Sequence, residues 1–206
     1  DVPRTWLTAE PPWMHFKRVC YQIRAVEAIG FHAAILFTGH YGPNFEDLKT
    51  IVELIQPFVR VRLYGLPEFE ANEPGFGPDG PAADHAGKVE TSLLWHLEPD
   101  CVDVSRLPSE SAPPETRAPG RLFEEPPYFA MGENAGESNR RVGERMVRDE
   151  IAWLKMKGDI LLDEYSTERP VDGLNTFEDV ERFWTAQVKP RLPEFKTMQR
   201  GWRGTD

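Results

Sequence analysis

The sequence has only two cysteines, Cys20 and Cys101, among 206 residues. So few exclude a small disulfide-stapled scaffold and fit a reducing, cytoplasmic compartment. No apolar run approaches the roughly 20 residues that a membrane-spanning helix needs. The longest, FHAAILF at 31–37, is strand-sized and contains a histidine. Basic charge is also scarce. Lys and Arg number 24 against 34 Asp and Glu, a formal net charge of −10. Such a chain lacks the positive surface that phosphate contacts require, which excludes nucleic acid and anionic membranes as expected partners. It leaves a small neutral substrate open. No internal repeat and no targeting pattern are visible, and the first residue is Asp1 rather than Met.

What is present is enough apolar content, 40%, for one α/β domain with appendages. Residues 1–15, rich in proline and tryptophan, are expected to form an extended arm. From Phe16 the apolar positions Phe16, Val19, Ile23, Val26 and Ile29 recur at helical spacing, and Gly30 supplies a C-terminal cap. The run at 31–37 predicts a strand buried on both faces. Asn44 caps a second helix with Leu48, Ile51, Val52 and Ile55 inward, and Pro57 ends it. FVRVRLYG at 58–65 then alternates as a strand does. This helix–strand order predicts a mostly parallel sheet, in which sites gather at the carboxyl ends of strands.

Residues 66–83 and 105–130 are rich in Pro and Gly, and both are expected to be long loops. A helix follows DHAG, the longest helix spans 138–157 with Val142, Met146, Ile151 and Leu154 inward, and a last helix starts at Thr176 with Asp179 in capping-box fashion. The domain proper is thus expected over 16–165, with a C-terminal helix and tail over 166–206.

Among the histidines, His15 is expected to be solvated or at an interface and His32 structural, with His96 on the helix after DHAG. His40 differs, because it lies where a strand ends and the chain turns through Gly39 and Gly42. Asp84, His85 and Glu90 form a second cluster. An imidazole and a carboxylate at that spacing can share a metal, or one can ligate while the other moves protons. The same residues also suit an ordinary helix start, with Asp84 as cap and Glu90 in solvent.

GHYGPN after an apolar strand, followed by DHAGKVETS, resembles the creatininase (creatinine amidohydrolase) family. Its members carry N-G-H-G-G-N or N-G-H-Y-E-N at a strand end and later a D-x-H-A-G-x-x-E-T-S segment. His85, Ala86, Gly87, Glu90, Thr91 and Ser92 fall at that spacing, and GENAGESNRRVGERMV at 132–147 is similar to the family's later helix. The resemblance runs from about Phe16 to Leu154. It implies a metal-dependent amidohydrolase on a parallel sheet sandwiched between helices, usually a homohexamer, holding one or two zinc, manganese or iron ions per site. His40 and Glu90 would ligate metal. Glu90 and His85 would be catalytic, His85 as proton carrier. Tyr41, Asp84, Thr91 and Ser92 would meet a small amide-type substrate, although helix capping alone also accounts for Thr91 and Ser92.

The chain departs from the pattern in several places. Thr38 replaces the family's Asn, Pro43 is inserted before Asn44, and Gly42 stands where the creatinine-hydrolysing branch has a metal-binding Glu. The family's first motif, E-x-H followed by Asp, has no counterpart upstream of His40. The expectation is therefore a fold and a metal site completed by a second chain carrying that motif. Two other readings remain: a non-catalytic subunit with an assembly role, and a different metal reaction, such as lactone opening or peptide trimming, on the same scaffold.

Overall fold

The computed structural model describes residues 11–38, 43–67, 86–107 and 135–196. The chain divides into two compact units, one of residues 1–68 and 156–206 and the other of 69–155.

In the first unit, α1 spans Pro12–Ile29. It starts inside the stretch expected to be extended, because Pro12 sits at the first helical position, where its missing N–H costs nothing. Gly30 ends the helix in the left-handed conformation at φ 92°, and its N–H returns to Glu27 and Val26, as the sequence predicts. β1 (Ala33–Thr38), α2 (Pro43–Ile55) and β2 (Arg62–Pro67) follow. The strands pair in parallel from Ala33 opposite Arg62 to Thr38 opposite Pro67.

The inner stripe of α2 is the predicted one, with Leu48, Ile51, Val52 and Ile55 all buried. They join Phe16, Val19, Cys20 and Ile23 of α1 in a single core. β1 departs from prediction. Ala34 and Leu36 pack against that core, but Phe37, on the other face of the strand, is 47% exposed and Phe31 before it 55%. Among the described residues β1 pairs with β2 alone and is covered on one face, not two.

β2 begins four residues later than the alternation suggests. Pro57 lies in a 3₁₀ turn over Gln56–Phe58, and the Gln56 side chain holds the backbone beyond it. Its amide nitrogen donates to the Val59 and Val61 carbonyls at 3.4 and 2.9 Å, and its oxygen accepts from Leu63 N–H at 2.9 Å. Glu27 takes the Arg60 and Val61 N–H groups at 3.1 and 2.8 Å. Side chains thus satisfy the backbone from Val59 to Val61, and the ladder starts at Arg62. His32 has the structural role expected of it, stacked on Tyr165 with ring centroids 4.1 Å apart. Beside it Arg62 donates to Glu164 through Nη2 at 2.7 Å.

α5 (Phe177–Phe183) opens with the predicted capping box. Thr176 Oγ1 accepts from Asp179 N–H at 3.1 Å, and the Asp179 carboxylate accepts from Thr176 and Asn175 N–H at 2.7 and 3.0 Å. Val180, Phe183 and Trp184 are buried, whereas Phe177 stays outside, edge-on to Tyr21 and under Arg24. A π turn over Trp184–Val188 and a 3₁₀ turn over Lys189–Glu194 bring Phe195 edge-on to Phe16, 5.3 Å between centroids. The buried Asp47 carboxylate accepts from Lys196 N–H at 2.8 Å and fastens this last segment to α2.

The second unit holds α3 (Lys88–Leu97) and α4 (Arg140–Asp163), whose residues from Met156 onward count with the first unit. α4 runs six residues past the predicted end. Met146 is buried as expected, but Ile151 is 61% exposed and Leu161 is buried instead. At about 100° per residue, Ile151 lies roughly 140° round the helix from Met146. Among the described residues, no helix is long and apolar enough to cross a membrane.

Two measurements follow from the chemistry of the first unit and of Cys101. Burial pushes the Cys20 thiol up to about 12, while Cys101 is exposed, and both are free. A thiol reagent at pH 8 on native protein should label Cys101 and spare Cys20 until denaturant is added; equal labelling of both would contradict the packing. The backbone and side-chain hydrogen bonds with Thr176 hold the Asp179 carboxyl below its ordinary value. A depressed folded-state pKa contributes stability above the unfolded value, about 4, that is lost as pH falls through the folded one. Asp179→Ala should therefore melt lower than the parent at pH 7, and the gap should close in acid.

Candidate functional site

α3 starts without a conventional cap. Gly87 occupies the N-cap position and offers no side chain. The residues of the E-T-S segment close the turn instead. Glu90, the third helical residue, reaches back so that its Oε2 accepts from Ala86 N–H at 2.7 Å. Thr91 Oγ1 donates to the Ala86 carbonyl at 3.2 Å, and Thr91 N–H donates to the Gly87 carbonyl at 3.0 Å. These bonds hold Ala86 at φ 48°, a left-handed backbone that a β-carbon disfavours. The turn that follows His85 in the chain is thus held in a strained geometry by Glu90 and Thr91. Neither of the two sequence-level alternatives for Glu90 describes this in full, since its carboxylate is tied to the turn rather than left in solvent.

Ser92 is the next link. It has 0% exposure, and its Oγ accepts from Asn139 N–H at 2.9 Å just ahead of α4. A β-carbon on Gly143 would overlap the Ser92 carbonyl and stand 3.0 Å from the β-carbon of His96. Only glycine at 143 lets α3 and α4 approach this closely. Ser92 therefore spends its hydroxyl and its surface on the helix crossing. Asn139 Oδ1 in turn accepts from Arg141 N–H at 2.8 Å, and Lys88 pairs with Glu137 at 3.0 Å. The segment that the sequence analysis singled out, GESNRRVG, is the platform on which the E-T-S helix sits.

The other nominated residues, His40, Tyr41, Asp84 and His85, lie outside the described residues. Their neighbours fix where in the chain they fall. β1 ends at Thr38 and α2 opens at Pro43, so His40 and Tyr41 belong to the connection that leaves the carboxyl end of a parallel strand. Asp84 and His85 immediately precede the Ala86 turn. Among the described residues, no three or more His, Cys, Asp or Glu side chains gather to hold a metal.

One feature of the second unit escaped the sequence reading. A cleft of about 690 Å³ is lined by Trp95, His96, Ser138, Asn139, Arg140, Arg141 and Glu144. The signal was present in the run RRVGERMVR at 140–148, four arginines to one glutamate in an otherwise acidic chain.

The crossing gives a decisive substitution. Gly143→Ala gains about 1 kcal/mol of helix propensity but drives a methyl group into backbone, an overpacking that costs about 1–3 kcal/mol. The variant should melt several degrees lower, and Thr91→Val should lose about 1 kcal/mol with it. A Gly143→Ala protein as stable as its parent would show that the helices do not cross at this distance.

Compared with known proteins, the chain is matched over residues 15–154 by the family model described as Creatininase: Creatinine amidohydrolase. No curated protein and no solved structure matches it.

Proposed function

The chain belongs to the creatininase (creatinine amidohydrolase) family, and on that footing we propose that it hydrolyses the C–N bond of an amide or cyclic amide at a divalent-metal centre. The observation that carries this proposal is the extent of the match, which takes in both the strand-end histidine segment at 37–44 and the D-H-A-G…E-T-S segment at 84–92. The family supports an α/β fold and an amidohydrolase activity that is typically metal-dependent. The βαβ order from β1 to β2 agrees with that class.

The donors of this chain fit such a metal in type. His40 and His85 offer imidazole nitrogen and Glu90 offers oxygen, a set that suits zinc, manganese or iron. They fall short in number, since a bridging carboxylate and two further ligands belong to the E-x-H and Asp motif that this chain lacks. We therefore assign that motif to another polypeptide segment, with the working unit a hexamer of such protomers. When bound, the cation supplies polarisation of the amide carbonyl and a lowered pKa for water.

The remaining roles fall to the chain's own residues. His40, leaving a strand end, ligates. Glu90 ligates and shares the removal of a proton from water, its carboxylate already oriented by Ala86 N–H. His85 carries the proton to the leaving nitrogen, one residue ahead in the chain of the left-handed turn at Ala86. Tyr41 and Asp84 meet the substrate. Thr91 and Ser92 act one step back, through the turn and the helix crossing. Gly42 in place of a metal-binding Glu argues against creatinine itself and for another small amide.

The second reading is a subunit that keeps the fold and builds an assembly without catalysis. Thr38 and Pro43 in the altered strand-end turn favour it, whereas the intact polar set of HAGKVETS favours the enzyme, because a retired site loses such residues first. Metal analysis separates the two. The native assembly should carry one or two tightly held transition-metal ions per protomer, and His40→Ala should lose at least one of them together with amide hydrolysis. An assembly with every partner chain present but without metal would leave the scaffold reading standing.

A further inference from the structure

The cleft between the end of α3 and the start of α4 has no part in the proposed hydrolysis. His96 lies six residues beyond Glu90 on α3, about 9 Å along the helix axis. Its walls differ in chemistry. Trp95 and His96 supply aromatic surface, and Arg140 and Arg141 supply two cations. Among the described residues neither guanidinium has an ion pair or a hydrogen bond. Glu144, one turn further on, is the nearby carboxylate that could answer them, but it is paired with Arg148 at 3.0 Å.

The position of these arginines is itself unfavourable. They are the first two residues of a 24-residue helix whose first turn carries no acid. Helix N-termini favour negative charge and disfavour cations. A sequence of net charge −10 has carboxylates to spare, yet it places two cations at the positive end of its longest described helix. Local choices that oppose folding mark sites kept for another purpose. The backbone amides at this end are not the attraction. Asn139 takes Arg141 N–H with its side chain, and its carbonyl takes Val142 and Gly143 N–H. An anion here would be held by guanidinium groups, which match carboxylate and phosphate geometry in two parallel bonds.

We propose that this cleft binds a small aromatic anion, a carboxylate or phosphate head on a planar ring, with Arg140 and Arg141 on the head and Trp95 against the ring. Its volume lies in the range of small-molecule sites, about 300–1,000 Å³. The proposal is independent of the metal centre and holds whether or not the protein hydrolyses amides.

The test is direct binding to the full chain by calorimetry, with phenyl phosphate, benzoate and inorganic phosphate as probes. At least one aromatic anion should bind at least roughly tenfold tighter than inorganic phosphate, and binding should weaken as salt rises. The tighter of the two aromatic probes identifies the head group. Arg140→Glu with Arg141→Glu should abolish binding and leave the melting temperature at or above that of the parent, because the change suits the helix end. Arg140→Gln and Trp95→Leu, tested singly, should each weaken binding, and they serve if the double variant fails to fold. No saturation by either aromatic probe up to about 10 mM overturns the proposal. So does unchanged affinity in a folded charge-reversed variant, or inorganic phosphate binding as tightly as both aromatic anions.

Discussion

The hydrogen bond from Ala86 N–H to the Glu90 carboxylate is the constraint on which the start of α3 depends. It does the work of a missing cap, because Gly87 has nothing to offer the first amides of α3. It also holds a non-glycine residue in left-handed backbone, which costs of order 1–2 kcal/mol and persists only when the surroundings enforce it. Thr91 provides the second tie, at the carbonyl of the same residue. Strain of this kind is kept where direction matters more than stability. Here it sets the turn from which α3 starts. Glu90 thus serves the geometry of the turn through its carboxylate.

The same economy recurs in the first unit, where long polar side chains do what a ladder or a turn does elsewhere. Glu27 and Gln56 between them bind backbone at Val59, Arg60, Val61 and Leu63. They carry the chain from α2 into β2 through Val59 and Val61, both fully buried. Buried backbone without partners is costly, so a buried approach to a strand needs such side chains. Asp47 does the same for the C-terminal segment at Lys196.

How far the sequence exposed this follows from the reach of each signal. Periodicity found the helices and their inner faces, since the α2 stripe and the core half of α1 are local facts. Caps were legible at Gly30 and in the Thr176–Asp179 pair, whereas Asn44, expected to cap α2, lies inside that helix, which already starts at Pro43. Alternation placed β2 too early because Gln56 acts over seven residues, a range at which no pattern is visible. It placed β1 between two layers because composition records that a strand is apolar, not what covers it. Ile151 was expected inside because a loose helical stripe hides which face is buried. For the site, motif spacing identified the E-T-S segment but not its division of labour. Ser92 reads as a polar residue fit for a substrate, yet its role is fixed by Asn139 and Gly143, some fifty residues away in sequence.

That division bears on which residues of a motif carry chemistry and which carry the frame. Three consecutive residues, Glu90, Thr91 and Ser92, point about 100° apart on a helix and so meet three different surroundings. Glu90 faces the turn before the helix, Thr91 locks that turn, and Ser92 faces α4. In a segment of this density a change in one member moves the others. Losing the Ser92–Gly143 contact would shift α3 as a body and carry Glu90 with it, without touching a reacting atom. Sensitivity to mutation at Ser92 or Gly143 is therefore a measure of how tightly the carboxylate is positioned.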